Sequence, residues 1–350
     1  MKIIAEIGVN HDGNILEAKR LIKISKDSGA DYVKFQMYKT VNIVIKKSKS
    51  ASYQKKVNKN QFKLLKKYEI TLKNFKKLIN YCKKININSL TTCFDIETFN
   101  NVKKISKSNI YKIGSGDLDN LPLIYEIAKN NKKIILSTGM SSFKDIDLAL
   151  KTIYFAQKYK KKNPNLEMIN SIKLNTKNKK FLLNKVILLH CVSNYPTKLI
   201  DLNLKIITVL KDKYHLQVGL SDHSKSLISP SIAFLLGAEF IEKHLTISNT
   251  QPGPDHSSSL NKTDFKKMVE NLKDTIKMLG TSKKSINKFE KNIAQIAKKS
   301  LYASKEIYKD EVYTFNNLAL KRPQLGKKPK LFWNYLGKKA KKSYKTDEMI

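Results

Sequence analysis

The sequence predicts a (β/α)8 TIM barrel of the α/β class, followed by a small β-rich C-terminal domain. Three observations carry this reading. A short apolar run followed by a segment of helical period recurs eight times within about 280 residues, which is the count and length of a closed barrel. An open, doubly wound sheet also alternates in this way, but a count of eight favours closure. After Leu279 the alternation stops and short β-like pieces take over. Finally, polar and ionisable side chains gather where the strand-like runs end, the face on which barrels build their sites.

In chain order, strand-like runs fall at 2–7, 31–36, 89–94, 110–113, 133–137, 185–190, 217–220 and 239–244. Amphipathic segments follow them at 15–28, 72–84, 96–105, 121–129, 143–158, 202–213, 228–236 and 263–279, with apolar residues at helical spacing. Two stretches break the alternation. Residues 38–68 form a lysine-rich insertion after the second strand, where YQKK and QFKLLKKYEI suggest a further helix; long loops at this face form lids and specificity elements. Residues 159–184, rich in Lys and Asn, precede the sixth strand and read as a surface excursion on the opposite face. The predicted domains are a barrel over 1–280, a linker over 281–298 and a small domain over 299–350. That last unit is short enough to be marginal alone.

The chain has 350 residues, 41% of them hydrophobic, enough to bury a large core. No run approaches the length of a membrane span, and MKIIAEIG lacks the regions of a signal peptide, so the expectation is a cytoplasmic protein with no membrane partner. Cys82, Cys93 and Cys191 lack CxxC spacing and sit among apolar neighbours, as buried free thiols do. A net charge of +39 invites a nucleic-acid reading. Only Arg20 and Arg322 are arginine, however, and the lysines are spread along the whole chain beside over-used Asn and Ile. Phosphate and base readers favour the arginine fork, so solvated lysine faces are the better account, and no nucleic-acid partner is expected. The field would still favour an anionic substrate.

The chemistry is concentrated at the strand ends. The first strand supplies Glu6, Asn10 and His11; the second Lys34 and Gln36; the third Thr92; the fourth Lys112, Ser115 and Asp117. The fifth supplies Ser137 and Thr138, and the sixth His190, Ser193 and Tyr195. The seventh and eighth end in His223 and His244, with Asp222, Glu242 and Asp255 nearby. If those two strands are neighbours, two imidazoles stand side by side, a donor set suited to a borderline divalent ion. Two strand-end histidines making only local hydrogen bonds would read the same way. Interior polar groups are costly to desolvate unless paired, so this ring of polarity marks a site. Lysines, hydroxyls and glycine turns can hold a phosphate or carboxylate, a metal can polarise a carbonyl, and Glu6, Asp117 and Glu242 can orient groups or move protons.

The motifs AEIGVNHDG, GADYVKFQ, YKIGSGDLDNLPLI, ILSTGM, LLHCVSNYPT, GLSDHS, EKHL, PGPDHSSSL and LKRPQLGKK, spread in order over essentially the whole chain, resemble those of the sialic acid synthase family. The resemblance implies condensation of phosphoenolpyruvate with N-acetylmannosamine or a related N-acetylated hexose, giving a nine-carbon 2-keto acid and phosphate. The alternatives are a diacetamido-trideoxyhexose leading to N,N'-diacetyllegionaminate, or a phosphorylated aldose. It also implies a C-terminal antifreeze-like (SAF, β-clip) domain, a domain-swapped homodimer, and a divalent metal, Mn²⁺ first with Mg²⁺ or Co²⁺ as alternatives. His223 and His244 match the metal ligands. Glu6, Lys34, Thr92, Lys112 and Ser115 fall where phosphoenolpyruvate binds, and Asp117, Tyr195 and Asp255 near the amino sugar. Within this frame Glu6, Lys112, Asp117 and Glu242 are the candidate catalytic groups. Lys34, Gln36, Thr92, Ser115, Ser137, His190, Ser193, Tyr195 and Asp255 are candidates for substrate binding. Arg322 matches an arginine that reaches the partner subunit's sugar site. Cys93, Ser193 and Gln324 depart from the residues usual at their positions and bear on which sugar is accepted.

Overall fold

The structure is a computed structural model that describes residues 1–50, 57–159 and 162–350. The chain divides into two compact units, Met1–Leu279 and Gly280–Ile350.

In the first unit eight parallel strands close into a barrel in sequential order. They are β1 (Lys2–Gly8), β2 (Tyr32–Met37), β3 (Asn88–Cys93), β4 (Ile110–Ile113), β5 (Lys133–Ser137), β6 (Val186–Cys191), β7 (Gln217–Asp222) and β8 (Phe240–His244). Closure is made by β1 against β8, with Glu6 in register with His244. Eight outer helices follow the strands, at Ile15–Asp27, Leu72–Lys84, Ile96–Ser106, Leu121–Ala128, Phe143–Lys158, Ile206–Tyr214, Ser229–Leu235 and Lys262–Leu279. Their starts are written in local chemistry. Asn14, Thr71 and Asp95 accept hydrogen bonds from first-turn amides, and Ser142 with Asp145 forms a reciprocal capping box.

Strand alternation sorts the side chains into two layers. One set, including Val33, Phe35, Ile134, Leu188 and Val218, faces the helices and forms the main apolar core. The other points into the barrel, where Ile4, Leu90, Ile135, Ile187, Leu189 and Phe240 pack into a dry floor. Each such buried side chain contributes roughly 1.5–3 kcal/mol. Gly219 lets β7 and β8 approach closely, because a Cβ there would stand 2.3 Å from the Phe240 carbonyl oxygen. That approach keeps the two histidine-bearing strands side by side.

The insertion after β2 contains a helix at Gln61–Tyr68, capped by Asn60. The YQKK stretch, residues 53–56, lies outside the described residues. The excursion before β6, in which residues 160 and 161 are likewise outside the described set, carries two short helices, Leu166–Asn170 and Thr176–Leu182, both begun by asparagine caps.

In the second unit β9 (Ser300–Ala303) and β10 (Leu318–Lys321) pair antiparallel. Isolated bridges at Tyr302–Met349, Ile307–Tyr344 and Val312–Lys339 extend the pairing around a core of Ala303, Ile307, Tyr313, Leu318 and Ala340. The residues predicted as a linker, 281–298, contain a ten-residue helix at Lys288–Ala297, fixed by an Asn287–Glu290 capping box. The LFWNYLGKKA stretch, expected to be β-like, turns helical at Phe332–Tyr335 behind a 3-10 turn that begins at Pro329. Proline's fixed φ starts such a turn readily.

Candidate active site

Above the dry floor the inward positions turn polar. A cavity of about 530 Å³ opens at the strand C-termini, lined by Lys34, Gln36, Thr92, Lys112, Ser115, Ser137, Ser193, Tyr195, His223, Glu242, His244 and Asp255 among others. Glu6 lies beneath it, fully buried. Asp117 lines an adjoining space of about 420 Å³ that shares Gln36, Gln61, Leu65, Phe94 and Gly116 with the first.

The base of the cavity is an ionic cluster. The Lys34 ammonium stands 3.1 Å from Glu6 Oε2 and 2.9 Å from Glu242 Oε2. Neither oxygen receives an aligned hydrogen bond from the described residues, so both keep acceptor capacity. Gln36 donates to Glu6 Oε1 at 3.0 Å, and Ser221 to Glu242 Oε1 at 2.9 Å. Lys112 donates to Ser137 Oγ at 2.6 Å and to the Ile113 carbonyl at 3.0 Å, and lies 3.9 Å from Glu242 Oε1.

The two carboxyl groups are driven apart. Burial pushes Glu6 up to about 7, the nearby charge of Glu242 adding to the effect and Lys34 opposing it. Burial acts on Glu242 in the same sense, but Lys112 and Lys34 outweigh it and hold that carboxyl at about 2. Lys112 is brought down to about 8, chiefly by burial and further by the Lys34 charge, with Glu242 pulling the other way. The cluster thus offers a carboxylate that stays ionised, a carboxyl poised near neutrality and two lysines.

The imidazoles sit beside this cluster. The His223 and His244 ring centroids are 5.2 Å apart, and Tyr195 packs 4.1 Å from His223 and 5.8 Å from His244. His223 Nδ1 contacts the Val192 carbonyl at 2.7 Å, so in the neutral ring Nε2 is the acceptor. Burial lowers its pKa, but Cys191 and that carbonyl outweigh it and hold the ring above its ordinary value, so a metal displaces a proton there. His244 Nδ1 is buried with no hydrogen-bond partner among the described residues, 3.6 Å from Asp255 Oδ2. Burial, reinforced by the charges of His223 and Lys34, lowers the His244 pKa and keeps it the neutral ring that a metal requires. Asp255 is pushed up to about 6 by burial. No set of three or more His, Cys, Asp or Glu side chains among the described residues is arranged to hold a metal. Two imidazole nitrogens in a polar cavity nevertheless suit a divalent ion that takes its remaining ligands from water or substrate.

Several predicted groups stand elsewhere. His190 faces the helix layer, its Nε2 2.7 Å from the Leu202 carbonyl oxygen, and is therefore not a cavity residue. The next residue, Cys191, faces inward and lines the cavity, 3.8 Å from His223 Nδ1. The alternation from Ile187 and Leu189 to Cys191 was the signal for that assignment. By the same alternation Asp222 points outward, where Lys243 at 2.7 Å and Ser229 at 2.5 Å hold it away from the histidines. Asn10 donates to the Leu245 carbonyl and Ser259 Oγ, and His11 accepts from the Gly13 amide, so both brace loops. Thr138 donates to the Leu189 carbonyl. Arg322 belongs to the other unit and is exposed. Ser221 and the helix residues Gln61, Leu64 and Tyr68 line the cavity without having been singled out in the sequence.

A closed parallel barrel with an ionic cluster and paired imidazoles at its C-terminal mouth defines a barrel-type enzyme site. Residues 21–284 match the model of the NeuB family, and the chain belongs to that family. It is 40% identical to the N,N'-diacetyllegionaminic acid synthase of Campylobacter jejuni over 99% of this chain and 98% of that one. It is 30% identical to the pseudaminic acid synthase of Helicobacter pylori, over 99% of this chain and 95% of that one. The crystal structure of an N-acetylneuraminic acid synthetase from Leptospira borgpetersenii in complex with citrate superposes with a TM-score of 0.66 at 32% identity, covering 83% of this chain and 89% of that one. The chain is therefore a member of a family of nonulosonate synthases. No helix among the described residues is long and apolar enough to cross a membrane.

Proposed function

We propose that the protein condenses phosphoenolpyruvate with an N-acetylated hexose and water, releasing phosphate and a nine-carbon 2-keto acid. The observation that carries this reading is the junction, in one cavity, of a lysine–carboxylate cluster suited to a small dianion with two imidazoles suited to a metal and an aldehyde. Lys34, Lys112 and the hydroxyls of Thr92, Ser115 and Ser137 bind the phosphate and carboxylate of phosphoenolpyruvate, where lysines act as point charges. Binding between them orients the methylene carbon toward the histidine side, where Tyr195, Ser193 and Asp255 hold the amino sugar. A divalent ion held by His223 and His244, Mn²⁺ first and Mg²⁺ or Co²⁺ as alternatives, supplies Lewis-acid polarisation of the open-chain aldehyde.

The C–C bond then forms between the methylene carbon and the aldehyde carbon, whose oxygen takes up a proton. Ionised Glu242 stabilises the oxocarbenium character that develops at the adjacent carbon. Water adds there, Glu6 accepts its proton near neutral pH, and the tetrahedral adduct expels phosphate by C–O cleavage. Family resemblance supports assigning Gly280–Ile350 as an antifreeze-like domain in a domain-swapped homodimer, with Arg322 serving the partner subunit's sugar site. The same reading places the enzyme in the cytoplasm, where phosphoenolpyruvate is made.

N-acetylmannosamine is the first candidate acceptor. A diacetamido-trideoxyhexose is the second, favoured by the name of the Campylobacter relative and by the adjoining space, whose lining combines Ile43, Val44, Leu65 and Phe94 with the amides of Asn42 and Asn120. A deoxy methyl and a second acetamido group match such a wall better than a phosphate does. The test is phosphate release from phosphoenolpyruvate with Mn²⁺, offering each sugar separately and its 6-phosphate as a third arm. Release with an N-acetylated sugar, lost in His223→Ala, supports the reading. Release only with the 6-phosphate, or with no sugar at all, refutes it.

A further inference from the structure

We infer that Tyr68, on the inserted helix Gln61–Tyr68, is an acceptor-recognition residue whose hydroxyl hydrogen-bonds a hydroxyl or acetamido group of the amino sugar. This rests on the proposed sugar reading. Tyr68 lines the cavity, is 1% exposed, and its hydroxyl finds no hydrogen-bond partner among the described residues. A buried hydroxyl without a partner costs free energy, so its retention at the wall of a cavity points to a ligand that completes it.

The side chain is placed firmly. Its ring packs with Val9 and Leu64. One turn earlier, Tyr38 Oη donates to the Leu65 carbonyl at 3.1 Å. Just past the helix, the Glu69 carboxylate accepts from both the amide and the hydroxyl of Thr40, at 3.0 and 2.7 Å. A rigid anchor of this kind aims a donor without an entropic cost at binding. Burial, then the charges of Asp12 and Asp255, raise the phenol to about 12, so it remains a neutral donor throughout the working range.

The surroundings favour the sugar over phosphoenolpyruvate as its partner. The cavity's described cations, Lys34 and Lys112, stand in the cluster at its base, whereas Tyr68 feels the negative charge of Asp255, beside His244. The Lys67 ammonium lies 5.2 Å from the Tyr68 ring centroid but is not part of the cavity lining, and the other groups this helix gives the cavity, Gln61, Leu64 and Leu65, are neutral, as suits a polyol.

The test is steady-state kinetics of full-length Tyr68→Phe with Mn²⁺, alongside thermal unfolding of wild type and variant. Phenylalanine keeps the ring in its apolar setting. The expected result is a KM for the amino sugar about ten-fold higher, the factor that follows from leaving one polar group of the sugar unpaired. The KM for phosphoenolpyruvate and the kcat at saturating sugar stay near wild type, and the melting temperature is unchanged or higher. An unchanged sugar KM overturns the inference. So does a variant that melts markedly lower or fails to fold, because the hydroxyl is then structural. If wild type itself turns over no sugar, the proposed function fails and this inference with it; if wild type is active and only the Tyr68→Phe result fails, the function stands.

Discussion

Lys34 on β2 reaches past β1 to place its ammonium 2.9 Å from Glu242 on β8, and on the way passes 3.1 Å from Glu6. All three side chains are buried. One cation therefore holds two carboxyl groups together in a low-dielectric interior. Replacing Lys34 by Met leaves those carboxyls facing each other, and removing one partner of such a buried pair costs about 3–5 kcal/mol. Lys34→Met should show that loss in urea unfolding, together with loss of turnover. Adding Glu6→Gln should recover a large part of the stability and none of the activity. A single variant as stable as wild type would mean that the cluster is already neutralised by protonation.

Lys112 titrates where an assay can follow it. Its pKa falls from 10.5 to about 8, chiefly through burial. In the proposed function the charged form holds the anionic substrate, so kcat/KM for phosphoenolpyruvate should decline as pH rises through about 8. Stability moves in the opposite direction. Between pH 8 and 10.5 the unfolded chain binds the Lys112 proton and the folded one does not, so this group makes the fold more stable as pH rises across that window. Glu6 has the reverse sign. Its folded pKa of about 7 lies above the ordinary carboxyl value of 4.5, so its contribution is fully present below 4.5 and is lost as pH rises through 7. Lys112→Met should lower kcat/KM and remove the alkaline limb. A limb that persists unchanged in the variant assigns it to another group.

Much of this architecture was legible because barrel physics is periodic. All eight strands fall within two residues of the apolar runs, and five of the outer helices begin at an ordinary asparagine, threonine, aspartate or serine cap. The site was legible wherever a polar residue sat two positions from an inward apolar one, as Glu6 does from Ile4 and Lys112 from Ile110. It was misread where a chemically attractive residue lay one position off that phase. His190 and Asp222 both looked like site groups, and both point outward, while Cys191 and Ser221 take the inward places. The helix Gln61–Tyr68 was visible as a helix, but which of its faces meets the cavity depends on how the insertion returns to the barrel, and local pattern does not encode that. The helix at Lys288–Ala297 was overlooked because its lysine-rich flanks mask a capping box of only two residues.

The imidazole pair predicts a metal requirement that binding alone can read. Mn²⁺ titration by calorimetry or electron paramagnetic resonance should give one site per chain in the wild type. His223→Ala and His244→Ala should each weaken it by more than about 100-fold, since even groups that merely support a ligand contribute factors of 10–100. Asp222→Asn should have a much smaller effect on Mn²⁺ affinity, because that carboxylate is engaged by Lys243 and Ser229 on the far side of the strand. Equal binding by wild type and both histidine variants would place the metal elsewhere.

Gly139, just beyond β5, sits behind two serines of the cavity wall, Ser115 and Ser193. A Cβ added there would stand 2.5 Å from Ser193 Oγ, 2.9 Å from Ser115 Oγ and 3.3 Å from the Cys191 carbonyl oxygen. Its amide donates to Ser115 Oγ at 3.0 Å, so the glycine both positions that hydroxyl and makes room for the second. Gly139→Ala must displace one or both serines, which are flexible side chains, before it strains the backbone. The expected outcome is a protein that folds with a loss of about 1–3 kcal/mol, as overpacking costs. In the proposed function Ser115 and Ser193 serve the phosphate and sugar sides respectively, so KM should rise for both substrates. A second change, Ser193→Ala, removes the nearer clash. With Ser193 Oγ gone the added methyl has room to shift away from Ser115 Oγ, 2.9 Å from its starting position, so in the Gly139→Ala/Ser193→Ala pair the KM for phosphoenolpyruvate should return toward wild type while that for the sugar stays high. Recovery of both would show that Ser193 itself contributes nothing to sugar binding, and recovery of neither would place the damage in the backbone around Cys191.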